Sequence, residues 1–125
     1  MKEIIQTDRA PAPIGPYSQA VLAGNLLFVS GQVAFIPGTN EVQLENISLE
    51  TEQVMRNIGE ILKQAGMDYS NIVKTTIFLM DMNNFSKVNE TYGKFFSEKF
   101  PARETVQVSR LPKEVNVEIS VIAAR

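Results

Sequence analysis

The chain has 125 residues, enough for one ordinary domain and too few for two, and we predict a single domain over residues 1–125. A hydrophobic fraction of 44% and a charged fraction of 21% are typical of a soluble globular protein, and the formal net charge of -2 favours no nucleic-acid partner. Cysteine and histidine are absent, which excludes disulfides, thiol or imidazole nucleophiles, and the usual zinc and haem ligand sets. Catalysis would have to use Arg, Lys, Glu, Asp, Tyr, Ser, Thr or backbone groups, and we predict no metal site.

The N-terminal region lacks the continuous apolar segment of a signal peptide, and no window approaches the roughly 20 apolar residues of a membrane span. We therefore expect a cytoplasmic protein without a membrane partner. The sequence "APAPIGPY" at residues 10–17 predicts an ordered loop that leads into a strand. Residues 19–22 and 26–33 are predicted to be strands, because "AGN" at residues 23–25 is typical of a hairpin turn.

A first helix is predicted between Ser48, as its N-cap, and Gly66, which is suited to end it. One apolar face at helical spacing supports it: Val54, Ile58, Ile61, Leu62 and Ala65. The β-branched run "NIVKTTIFLMDM" then predicts a central strand with both faces covered. A second helix is predicted from near Asn84 to a point before Pro101, with its aromatic residues in the core: Phe85, Tyr92, Phe95 and Phe96.

Two alternating strands joined at "SRLPKE" are predicted in the last part of the chain. If they form a hairpin with their valine faces together, Arg103 lies diagonal to Glu118, at about 7 to 8 Å. Spacing alone favours an exposed ion pair worth about 0 to 1 kcal/mol. By the same reasoning, spacing alone favours a packing role over catalysis for Tyr17 and a position on the helix surface for Asn89. For Ser30 it favours a strand hydroxyl that is hydrogen-bonded locally.

Several motifs together resemble the RidA (YjgF) family over most of the chain: "IGPYSQA", "FVSGQV", "VNETYGKFF", "FPAR" and "RLPKEVNVEISVIA". The resemblance implies an α+β, chorismate-mutase-like single domain with a mixed sheet and two helices packed on one face. It also implies a homotrimer with ligand pockets at the subunit interfaces. The implied activity is hydrolysis of reactive enamines and imines, such as 2-aminoacrylate, 2-iminopropanoate and 2-iminobutanoate, to 2-keto acids and ammonia.

By this resemblance Arg103 would bind the substrate carboxylate and Glu118 would orient or activate the attacking water, roles that suit a planar guanidinium and a partly desolvated carboxyl group. The remaining substrate-binding positions that it implies are Tyr17, Ser30, Gly31, Asn89 and Thr105, some of them from a neighbouring subunit. No cofactor is implied, because protonated imines react readily with water. The substrates would be released by pyridoxal-phosphate-dependent serine and threonine dehydratases, and the protein would act downstream of these enzymes without binding their cofactor. The chain departs from the family pattern at Glu104 and Thr105, where many members have a small hydroxyl residue and then a cysteine.

Two alternatives stay open. A non-catalytic regulatory protein could use the same arginine pocket to bind a keto acid, since members of one fold family change or lose activity. A ribonuclease or translation inhibitor is disfavoured by the absence of histidine and by the isoelectric point near 5.2. Independently of the resemblance, two helices can cover only one face of such a sheet, so we expect the other face to be buried in a threefold assembly.

Overall fold

Two turns with glycine at positive φ separate the elements that the sequence predicts. Gly24 (φ 61°) lies in the hairpin turn, and Gly66 (φ 74°) follows the first helix. The structure, a computed structural model, describes residues 2–125. Its strands and helices are β1 (Lys2–Ile5), β2 (Ala20–Ala23), β3 (Leu26–Gln32), α1 (Ile47–Gln64), β4 (Ile72–Leu79), α2 (Phe85–Gly93), β5 (Ala102–Gln107) and β6 (Val117–Ala124).

The six strands form one sheet in the order β1-β2-β3-β6-β4-β5. Only the β4–β5 pair is parallel. Strand alternation gives the sheet two different faces, because Val117, Ile119 and Val121 of β6 are buried toward the helices whereas the residues between them are only half-buried. The predicted single domain with a mixed sheet and two helices on one face is confirmed.

The face of the sheet that points away from the helices, called the open face below, carries exposed apolar side chains. Ile4 and Phe28 are 50% and 43% exposed, and Leu26 and Val106 are also exposed. Contrary to the expectation of two covered faces, β4 buries only its helix-facing residues within this chain. An exposed apolar surface of this kind is typical of a site that contacts another protein molecule.

Helix α1 begins two residues earlier than predicted. Its N-cap is Asn46, whose Oδ1 accepts a hydrogen bond of 2.8 Å from the backbone N–H of Leu49, so Ser48 lies inside the helix. Asparagine and serine are comparable N-caps, and sequence alone does not separate two candidates so close together. The predicted end at Gly66 is confirmed.

Helix α2 ends at Gly93, so Phe95 and Phe96 follow the helix and pack against the core from outside it. Tyr92 is buried as predicted, but Phe85 is 37% exposed, and its core assignment is wrong. The reason is that α2 lies over the β5 edge of the sheet, where the Phe85 ring faces Arg103 and not the apolar core.

The predicted hairpin between the last two strands is wrong, because β4 lies between β5 and β6. Arg103 is opposite Thr75 of β4, whereas Glu118 is opposite Phe78. The connection between the strands is longer than a hairpin loop of about two to five residues, so it can carry the chain past β4 to that strand's other edge. No helix among residues 2–125 is long and apolar enough to cross a lipid bilayer.

Candidate active site

Arg103 is held at the edge of the sheet by three side chains of α2. Its Nη1 donates a hydrogen bond of 2.7 Å to Asn89 Oδ1, and its guanidinium carbon lies 5.2 Å from the ring centre of Tyr92 and 5.7 Å from that of Phe85. The Tyr92 hydroxyl in turn donates to Thr75 Oγ1 at 2.9 Å. Within residues 2–125 no carboxylate lies within ion-pair distance of Arg103. Its remaining N–H groups are therefore available to a ligand.

A cavity of about 490 Å³ opens at this arginine, and its lining includes Tyr92, Phe100 and Pro101. Thr105 follows Arg103 on the same face of β5, and its hydroxyl is buried without a hydrogen-bond partner in the part of the chain described. A buried polar group left unpaired is costly, which makes this hydroxyl a candidate for contact with a ligand or another protein chain. We call Arg103, Asn89 and Thr105 the arginine half.

Glu118 lies on the open face and is half-buried in a second cavity of about 560 Å³. The same cavity is lined by Tyr17, Ser30 and Gly31. The pairing of β3 with β6 is irregular between Val29 and Gln32, where Ser30 and Gly31 lie. A Cβ atom added to Gly31 would clash with the carboxyl group of Glu118, because Cδ of Glu118 would be only 2.9 Å away. Glycine at position 31 therefore permits the close approach of Glu118. We call Glu118, Tyr17, Ser30 and Gly31 the glutamate half.

Burial raises the pKa of the Glu118 carboxyl group, because removal from water disfavours its charged form. Glu118 therefore keeps its proton to a higher pH than an exposed glutamate does. Lys113 lines the same cavity from a turn in which both Lys113 and Glu114 have positive φ, at 58° and 53°.

The readings that spacing alone favoured have different outcomes. Ser30 is satisfied locally, since its Oγ donates to Ser18 O at 2.6 Å. Tyr17 is not packed in the core but is 51% exposed, and its hydroxyl accepts from the backbone N–H of Ile14 at 3.3 Å. Arg103 forms no ion pair with Glu118, because the two residues are separated by β4.

The two halves lie on opposite faces of the sheet. Arg103 pairs with Thr75, which is buried toward the helices, whereas Glu118 pairs with Phe78 on the open face. Two strand spacings across and three residues along the sheet separate their Cα atoms by about 14 Å. The predicted diagonal contact is therefore wrong within one chain. One small substrate can contact an arginine half and a glutamate half at the same time only if these two halves belong to different copies of the chain.

The support of Arg103 by Phe85 and Tyr92 was missed by the sequence prediction. The helical spacing of the two aromatic residues indicated core packing, and the same spacing is produced by a helix that presents them to a cation. Neither residue type nor period distinguishes these outcomes. Only the position of α2 over the β5 edge does.

Comparison with known proteins identifies the family. The family model described as Endoribonuclease L-PSP matches residues 7–125. The 2-iminobutanoate/2-iminopropanoate deaminase of Bos taurus is 46% identical over 125 residues, which cover 100% of this chain and 91% of that protein.

Two solved structures extend the likeness to the fold. RidA from the Antarctic bacterium Psychrobacter superposes with a TM-score of 0.95 at 43% identity, covering 98% of this chain and 99% of that one. E. coli TdcF with bound serine superposes with a TM-score of 0.94 at 40% identity, covering 98% of both chains. The chain therefore belongs to the Endoribonuclease L-PSP family, the YjgF/RidA family, some of whose members bear the name of imine deaminases.

Proposed function

We propose that the protein hydrolyses reactive 2-enamine and 2-imine acids, namely 2-aminoacrylate, 2-iminopropanoate and 2-iminobutanoate, to 2-keto acids and ammonia. The observation that carries the proposal is Arg103, a guanidinium oriented by Asn89 and by two aromatic rings, with no carboxylate partner within residues 2–125. A guanidinium with free N–H groups binds a small carboxylate in two parallel hydrogen bonds. The name of the Bos taurus relative and the serine bound to TdcF, a small carboxylate, agree with this substrate class.

The proposal requires an assembly, because the two halves lie on opposite faces of one sheet. In a closed homotrimer the arginine half of one copy would face the glutamate half of the next. The apolar open face supports this arrangement, since Phe28 and Ile4 are exposed within a single chain and burial of apolar surface drives association. Each trimer would then hold three equivalent sites.

In the proposed reaction Arg103 holds the carboxylate and so fixes the neighbouring imine carbon in front of the water bound by Glu118. The water oxygen forms a bond to the carbon of the protonated imine while Glu118 accepts one of the water's protons and the C=N π electrons move to the nitrogen. The resulting carbinolamine breaks its C–N bond as Glu118 returns that proton to the departing nitrogen; the hydroxyl group becomes the keto C=O, and its proton passes to ammonia, which leaves as ammonium beside the keto acid. An enamine substrate first takes a proton at its β-carbon, which gives the same protonated imine. The C=N bond is reactive by itself, so these steps call for neither a metal nor a cofactor.

The test is keto-acid release from a serine or threonine dehydratase reaction that contains semicarbazide, which traps the imine. Wild type should restore free keto acid and Arg103→Ala should not. Arg56→Ala is the matched control, because Arg56 lies on the outer surface of α1, where it forms an ion pair with Glu52 at 3.1 Å. Light scattering would verify that all three proteins have the same mass.

Two other results would point to other functions. Binding of 2-oxobutanoate that requires Arg103, without any gain in keto-acid release, would indicate a non-catalytic regulatory protein. Cleavage of RNA by wild type, lost in Glu118→Gln, would indicate a ribonuclease. The absence of histidine and the isoelectric point near 5.2 are unfavourable for that second activity.

A further inference from the structure

One wall of the cavity in the glutamate half is a segment without helix or strand. Residues 6–19 connect β1 to β2, and within them Pro11, Ile14 and Tyr17 line the cavity beside Glu118. Three prolines in the segment lack a backbone N–H, so the wall has few backbone hydrogen bonds of its own. Its position must come from side-chain contacts.

Gln19 supplies most of these contacts. The side chain is only 2% exposed, and its Nε2 donates to the carbonyl oxygens of Thr7 at 3.0 Å, Pro11 at 2.9 Å and Ala10 at 3.3 Å. Its Oε1 accepts from the backbone N–H of Thr7 at 2.7 Å. A primary amide offers two N–H donors and one carbonyl acceptor, so Gln19 uses its donors and its acceptor to hold this one segment.

The same residue also joins the segment to the opposite wall. The carbonyl oxygen of Gln19 accepts from the backbone N–H of Ser30 at 2.9 Å, and the neighbouring Ser18 carbonyl accepts from Ser30 Oγ. Ser30 precedes Gly31, against which the Glu118 carboxyl group packs. Gln19 therefore lies between the wall that contains Tyr17 and the strand that supports Glu118.

Apart from the hydrogen bonds of Ser30 to the carbonyl oxygens of Ser18 and Gln19, which hold only the end of the segment, its other contacts are weaker. Arg9 Nη1 and Glu60 Oε1 are 3.9 Å apart and the Arg9 side chain is largely exposed, and such surface pairs contribute little to stability. The hydrogen bond between Ile14 and Tyr17 is internal to the segment and does not attach it to the sheet. Ala10 is buried, but a methyl group alone does not fix the direction of the chain beyond it. Removal of the Gln19 amide should release the wall.

We propose that Gln19 is a positioning residue, which through residues 7–11 fixes the wall containing Tyr17 at its distance from Glu118. The structural part of this inference, the position of the wall, rests on the hydrogen bonds of Gln19. The catalytic part, an effect on turnover, rests on the proposed imine hydrolysis.

The test compares Gln19→Met and Gln19→Asn with Gln32→Met. Methionine fills the space of glutamine but leaves three carbonyl oxygens without their donor, whereas asparagine keeps the amide on a shorter stem and should give a smaller effect. Gln32 is buried in β3 and lines the same cavity, but within residues 2–125 its only side-chain hydrogen bond is to Ser30 O at 3.2 Å, so it controls for loss of a buried glutamine.

Two quantities are measured: the rate of trypsin cleavage after Arg9, followed by intact mass, and kcat and KM for imine hydrolysis. Loss of buried hydrogen bonds should accelerate cleavage after Arg9 by about tenfold or more in Gln19→Met and leave Gln32→Met resistant. We expect kcat/KM of Gln19→Met to fall by about tenfold as well, with kcat affected more than KM, because Arg103 still binds the carboxylate.

Resistance of both Gln19 variants to cleavage after Arg9 would overturn the inference. So would faster cleavage with unchanged kcat and KM, which would make Gln19 a stabilising residue only. If wild type itself fails to hydrolyse imines, the proposed function fails instead. The structural part of the inference is then decided by the cleavage rate and by whether Gln19→Met weakens binding of 2-oxobutanoate in calorimetry.

Discussion

Arg103→Lys separates the charge of Arg103 from its geometry. Lysine keeps the positive charge but cannot form two parallel hydrogen bonds to a carboxylate, and it also loses the flat contact with Tyr92 and Phe85. Loss of one charge-assisted hydrogen bond costs about 1.5 to 3 kcal/mol, and weaker cation–π contact at this partly exposed site adds about 0.5 to 1 kcal/mol. We expect kcat/KM to fall by roughly 30- to 1,000-fold, mostly through KM.

The assay is keto-acid release over a range of imine concentrations, with Asn89→Ala measured beside Arg103→Lys. Asn89→Ala leaves the guanidinium and its aromatic contacts in place and removes only the hydrogen bond of 2.7 Å that orients it. Its effect should therefore be smaller than that of Arg103→Lys. Wild-type kinetics in Arg103→Lys would refute the reasoning, because they would show that only the charge of residue 103 matters.

Four further predictions concern the glutamate half, the open face and the helix cap. Glu118→Gln should raise the Tm at pH 7, because burial raises the pKa of Glu118 and ionisation of this group therefore destabilises the folded state. The difference in Tm between the variant and wild type should vanish as the pH falls below the pKa of glutamate in the unfolded chain. A Tm difference that stays constant from pH 4 to 8 would contradict this prediction. Gly31→Ala should displace the Glu118 carboxyl group and lower kcat with little change in secondary structure by circular dichroism, whereas unchanged kcat would show that the close approach is dispensable. Phe28→Glu should convert the proposed trimer to monomers in light scattering and abolish turnover, and an active trimer would rule out this face as the interface. Asn46→Ala should destabilise the protein by about 1 kcal/mol in urea unfolding and Ser48→Ala by much less, and the reverse order would restore Ser48 as the cap.

Prediction from the sequence succeeded where the hydrophobic period of a single element determines which of its residues share a face. The alternation in β5 correctly separated Arg103 and Thr105 from Val106, and the apolar spacing of α1 correctly gave its buried face. The sequence did not correctly predict which face of the sheet the valines of β5 and β6 point to. Val106 is exposed on the open face, whereas Val117 and Val121 point toward the helices, so the valines of the two strands face opposite ways. In the edge strand β5, which α2 covers, the polar side chain of Arg103 can face the helices because Asn89 and Tyr92 of α2 contact it.

The family resemblance predicts the site residues but not their arrangement. The seven implied residues fall into two groups: Arg103, Asn89 and Thr105 on one side of the sheet, and Glu118, Tyr17, Ser30 and Gly31 on the other. A hairpin was the simplest pairing for two consecutive strands, and it would have brought Arg103 and Glu118 together. Strand pairing depends on every strand in the sheet, and a local pattern carries no information about β4 coming between them.

By itself the sequence limited the class of chemistry, since a chain without cysteine and histidine offers few catalytic groups, and its motifs predict that Arg103 and Glu118 are among them. It also determined the type of seven of the eight strands and helices, all except β1, because hydrophobic period is a local property. Only the tertiary structure decided that the arginine and glutamate halves lie on opposite faces, that aromatic rings of α2 support Arg103, and that Gln19 holds the cavity wall. The first two features follow from the order of the strands and the position of the helices, and the third from hydrogen bonds across a loop, so none of them can be read from neighbouring residues.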